Sequence, residues 1–130
     1  MDSNLIMPVS PAELIDKITI LEIKRQFIKN STKLKNVDLE YKLLLDVLIN
    51  NVSGSEELDL LRSQLKEVNM KLWDIEDKIR DLEKNKVFDK KFIELARLVY
   101  FTNDKRSEIK KDINKLLNSE IVEEKSYSDY

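Results

Sequence analysis

A chain of 130 residues is the length of one domain. Its 37% charged and 42% hydrophobic residues, with one Gly and two Pro, suit long helices with charged outer faces and argue against a β-rich fold. With neither Cys nor His, disulfides, thiol chemistry and the commonest general base and metal ligand are excluded; catalysis would fall to Asp, Glu, Lys, Tyr or an oxygen-held metal. The 23 basic and 25 acidic residues are interleaved for a net charge of −2, which argues against nucleic acid as main partner; no apolar run has the length of a membrane span and no signal peptide is visible, so the cytoplasm is the default location.

The first helix is expected over residues 11–29. Ser10 can cap it, Pro11 suits the first helical position, and Glu13 can reach back to complete a capping box. Asn30 and Ser31 break the pattern, and a second helix is expected over 32–51. Leu14, Ile18, Leu21, Arg25 and Ile28 step by 4 and 3, and Leu34, Val37, Tyr41, Leu44 and Leu48 step by 3 and 4. Folded about Asn30–Ser31 the two lines meet in register, from Ile28–Leu34 to Leu14–Leu48, as an antiparallel hairpin requires.

The only Gly, in NVSGSEE, marks the next turn, with Ser53 or Ser55 as cap of a third helix over 56–84. Its line from Leu58 to Leu82 is an unbroken alternation of 3 and 4. EKNKVFD is a turn with Asp89 as cap, and a fourth helix over 90–118 carries Phe92, Leu95, Val99, Thr102, Arg106, Ile109, Ile113 and Leu116 in matching register. The two long helices span about 40 Å each at 1.5 Å per residue. The expected fold is all-α: two antiparallel helical hairpins in a coiled-coil-like bundle over 1–118. Residues 119–130 form a tail that either docks through Ile121, Val122 and Tyr127 or is mobile.

The first helix has a second apolar line, Ile20–Ile23–Phe27, with Asp16 at its start, and the second helix has Leu39–Leu43–Val47. A helix apolar on two sides is covered on two sides, either by the long hairpin or by a partner molecule. Leu60, Met70 and Trp73 lie off the main stripe of the third helix, and a homodimer is expected.

Several polar residues interrupt these lines. Asp16, Arg25, Thr102 and Arg106 stand where spacing predicts apolar contact, and Asn69, Glu76 and Asn103 flank the stripes. Two readings compete. Asp16, Arg25, Asn69, Trp73, Glu76, Asn103 and Arg106 form a ligand-binding pocket with Trp73 as a stacking wall. Alternatively they form a buried polar layer that fixes register and assembly; Asp16–Arg106 is the specific pair expected. The acidic pairs in ELID and EELD read as solvated faces, although helical acidic pairs can hold a divalent cation.

The motifs PVSPAELIDKITILEIK, VNMKLWDIED, FIELARLVYFTNDKRSEIKKDIN and SEIVEEKSY together resemble a domain-of-unknown-function family of short helical proteins from bacteria and their phages. The resemblance spans nearly the whole chain and transfers no activity. It implies at most an accessory role in glycan or surface-polysaccharide synthesis. All-α nucleotide pyrophosphohydrolases hold magnesium with two acidic helix motifs; here Glu13-x-x-Asp16 is present without the E-E-x-x-E that precedes it. The resulting expectation is a non-catalytic helical binding or interaction module with no cofactor and possible protein partners. The alternative is a small helical enzyme or binder of a nucleotide or sugar nucleotide, with magnesium.

Overall fold

The computed structural model describes residues 3–130, and its regular elements are four helices: α1 (Pro11–Phe27), α2 (Ser31–Asn51), α3 (Glu56–Lys84) and α4 (Lys90–Leu116). Each start is fixed by a side chain that accepts from a free amide. Ser10 accepts from Glu13 N, Asn30 from Lys33 N, Ser55 from Leu58 N and Asp89 from Phe92 N, at 3.0–3.3 Å. α3 and α4 end in Schellman turns, with Val87 N donating to Leu82 O at 2.9 Å and Ser119 N to Asn114 O at 2.8 Å. Lys86 and Asn118 take the left-handed conformation that these turns need.

α1 pairs with α2, α3 pairs with α4, and α1 alone packs on all three others. It crosses the long hairpin from Asn114 on α4 at its start to Trp73 on α3 at its end, where the Phe27 and Trp73 rings stack at 5.7 Å. The core lies at this crossing, where Ala12, Ile15, Ile18, Leu65, Ile109 and Ile113 are buried. The second apolar line of α1 is thus covered by the same chain only in part: Ile23 is buried, Ile20 is half-buried and Phe27 remains 44% exposed. That of α2 is not covered: Leu39, Leu43 and Val47 remain exposed, because no described helix packs on the far side of α2.

Past the crossing, α3 and α4 continue as a two-helix arm that ends in the turn at 85–89. The chain after α4 folds back along it. Glu123 and Glu124 reach Lys110 and Lys111 at 3.1 and 3.5 Å, and the Tyr130 ring packs on Tyr100 and Phe101. The tail is therefore held by charges and its last residue, while Ile121, Val122 and Tyr127 stay exposed. Among the described residues, no helix is long and apolar enough to cross a membrane.

Candidate functional site

Asp16 is 1% exposed and stands where α1 meets both long helices. A buried carboxylate must be paired and hydrogen-bonded, and this one is answered from both sides. Asn69 Nδ2, on α3, donates to Asp16 Oδ1 at 2.8 Å. Arg106, on α4, grips the carboxylate with two nitrogens: Nε donates to Oδ1 at 3.1 Å and Nη2 donates to Oδ2. Asn69 also donates to Thr19 Oγ1 at 2.9 Å, and Thr19 in turn donates to the Asp16 carbonyl at 2.8 Å. The bidentate fork fixes orientation as well as charge.

One turn along α4 from Arg106 lies Lys110, also buried. Its ammonium sits between Glu13 Oε2 at 2.8 Å, Glu123 Oε2 at 3.1 Å and Asp16 Oδ2 at 3.6 Å. Glu13 therefore does not turn back to close a capping box; the buried cation draws its carboxylate outward. A further turn along, Asn114 Oδ1 accepts from Ala12 N at 3.0 Å, so the amides at the start of α1 are capped from α4 as well as by Ser10. Glu13, Asp16 and Glu123 converge on Lys110, the chain's own cation. Among the described residues no cluster of acidic side chains is arranged to hold a metal ion.

Two cations gain from this arrangement. For Lys110, burial works to lower the pKa. The hydrogen bond to Glu13, the charge of Asp16 and the hydrogen bond to Glu123 outweigh it, and the net shift is upward. For Arg106 burial again opposes the charge, and the hydrogen bonds and charge of Asp16 raise it. Both remain charged throughout the physiological range.

Beside this cluster lies a groove of about 430 Å³, at the edge where α1 leaves the arm. Ile20, Leu72 and Trp73 form an apolar floor, and Asn69, Glu76, Asp77, Arg80 and Arg106 form its rim. Glu76 and Arg80 pair with each other at 3.1 Å. Arg106 reaches the groove with its side chain 29% exposed, and its Nη1 lies 3.5 Å from Asn103 Oδ1.

Of the seven residues singled out from the sequence, Asp16, Asn69 and Arg106 are bonded to one another. Asn103 stands behind Arg106, and Trp73 and Glu76 line the adjoining groove. Arg25 stands apart. It pairs with Asp38 at 2.8 Å and its guanidinium lies 4.4 Å from the Tyr41 ring centre, between α1 and α2. This end of the first hairpin is open to solvent, so a long side chain on the buried line can lay its stem on Tyr41 and keep its charge outside. Thr19, Lys110, Asn114 and Glu123 were missed. The available signal was on α4, where Arg106, Lys110 and Asn114 recur every four residues beside the apolar stripe.

No curated protein and no solved structure matches the chain. A family of unknown function does, over residues 5–130, which include every residue of the cluster and the groove. The match covers nearly the whole chain, and the chain belongs to the DUF6165 family, whose function is unknown.

Proposed function

We propose that the chain is a non-catalytic helical interaction module that works as a homodimer. The observation that carries this reading is saturation of the polar cluster. Among the described residues no buried side-chain nitrogen or oxygen lacks a hydrogen-bond partner. Asp16, Asn69, Arg106 and Lys110 spend their hydrogen bonds on one another, on α1, on Asn103 and on Glu123 of the tail. A catalytic acid or base keeps a free atom aimed at substrate, whereas this set ties α1 to the long hairpin. The apolar surface left over, on α2 and on the arm, suits protein contact.

The test is a pair of variants, Asp16→Asn and Arg106→Met. Asp16→Asn leaves the partly exposed Arg106 without its carboxylate, and Arg106→Met leaves Asp16 with Asn69 and with Lys110 at 3.6 Å; each is expected to cost about 2 kcal/mol, read as a lower urea midpoint. For a module, the variants lose stability and assembly together, and no small ligand shifts the thermal midpoint of the parent protein.

The groove supports a second reading, a site for a nucleotide or sugar nucleotide with Trp73 as stacking wall and Arg106 as anion contact. Magnesium belongs to this reading, whereas an accessory role in glycan or surface-polysaccharide synthesis goes with the interaction module. A thermal-shift panel of nucleotides and sugar nucleotides with and without Mg²⁺ separates the two. A ligand at ~100 times its dissociation constant stabilises the fold by about 2.7 kcal/mol, several degrees for a domain of this size. Such a shift, lost in Arg106→Met, would replace the first reading with the second.

A further inference from the structure

The arm is incompletely covered. At the crossing, the stripe residues Leu65, Val68, Ile109 and Ile113 are buried. On the arm, Ile75 and Leu95 are buried, while Leu72, Ile79, Leu82, Phe92 and Val99 are half-exposed. Two helices alone cannot close a stripe this wide; a third or fourth helix must lie across it.

The two ends of the arm differ in a complementary way. At the tip, Phe88 is 55% exposed and stands edge-on to Phe92 at 5.3 Å between ring centres. Around it are Lys84, Lys86, Lys90 and Lys91 against Glu83 and Asp89, an excess of two positive charges with Asp89 engaged as the cap of α4, and among the described residues none of these ammonium groups has a carboxylate within ion-pair distance. At the base is the groove, with its apolar floor of Ile20, Leu72 and Trp73. Its rim carries Glu76 and Asp77, and Asp77 has no ion pair among the described residues. The two rim arginines are already met, Arg80 by Glu76 and Arg106 by Asp16. A free anion therefore gains little at this rim, whereas a basic, aromatic tip finds an apolar floor and an unpaired carboxylate.

We infer that two copies of the chain pair arm against arm in opposite directions, each tip seating Phe88 over Ile20, Leu72 and Trp73 of the other, with its lysines facing Glu76 and Asp77. This rests on the homodimer reading above and names its contact. The distance from tip to groove is about 17 Å, from residue 73 to residue 84 at 1.5 Å per residue. It is the same on both copies, so one two-fold axis satisfies both contacts at once. The arms then form a four-helix bundle that covers the half-exposed stripe.

The test begins with mass by light scattering. The parent is expected at twice the 15.4 kDa chain mass, and Phe88→Asp at the single-chain mass with unchanged helical circular dichroism. The chain has no native Cys, so a Glu76→Cys/Lys90→Cys variant probes the contact directly. Within one chain these positions are separated by about 12 Å of helix, too far for a disulfide; between paired arms they meet. Oxidation is expected to give a covalently linked pair. A dimer that persists in Phe88→Asp, or the absence of the linked pair from a dimeric protein, overturns the arm contact and leaves the homodimer standing. A parent at single-chain mass up to its solubility limit overturns both.

Discussion

Lys110 is held charged against the tendency of its own burial. Because its pKa is raised above the ordinary 10.5, its contribution to stability is fully present below that value and is lost as pH rises through the folded-state pKa. Replacing it with Met at neutral pH leaves Glu13, Asp16 and Glu123 short of a cation. The gap in thermal midpoint between the parent and Lys110→Met is therefore expected to hold steady from pH 7 to about pH 10 and to narrow above it. A gap unchanged up to pH 12 would mean that the ammonium is not held in this cluster. Asp16 and Arg106 were visible in the sequence because each interrupts an apolar line. Lys110 was not, because a lysine beside a stripe on a chain with many lysines is ordinarily solvated. Arg25 shows the opposite error: it lies on a buried line near an open helix end, where spacing does not guarantee burial.

At the scale of the helices, starts and stops were readable because capping is local. Ser10, Asn30, Ser55 and Asp89 each act within three residues of themselves. α1 ends at Phe27 and α4 at Leu116, each two residues short of the expected end. Pairing within each hairpin was readable from matched spacing. The placing of one hairpin on the other was not, because the spacing of one helix pair carries no information about the angle at which another crosses it. The second cap of α1 belongs to that unreadable part. Asn114 accepts from Ala12 N across 102 residues of sequence. Asn114→Ala leaves that buried amide without its acceptor and is expected to lower stability by about 1–2 kcal/mol. Its effect should exceed that of Asn30→Ala, whose bond to Lys33 N is exposed to water. Equal urea midpoints for the two variants would argue that the Ser10 cap suffices.

At the scale of the whole molecule, the tail is a strap held at Lys110, Lys111 and the aromatic pair Tyr100–Phe101. Removing residues 120–130 takes away Glu123 and the Tyr130 ring but no helix. The helical signal should be unchanged while the urea midpoint falls, through loss of the Glu123 contact to Lys110 and of the Tyr130 ring from the aromatic cluster. Unchanged stability would show that the strap is not closed in solution.

The polar cluster joins the first helix to the last, with Asp16 and Arg106 90 residues apart in sequence. Each hairpin is made of neighbours in the chain and can form as it leaves the ribosome, whereas the crossing cannot. Until α4 has emerged as far as Lys110 and Asn114, Asp16 has no cation to receive it and the amides at the start of α1 lack their second acceptor. The N-terminal hairpin can meet α3 first, through Asn69, but its crossing closes only when α4 arrives. Completion of the core is thereby coupled to synthesis of the fourth helix.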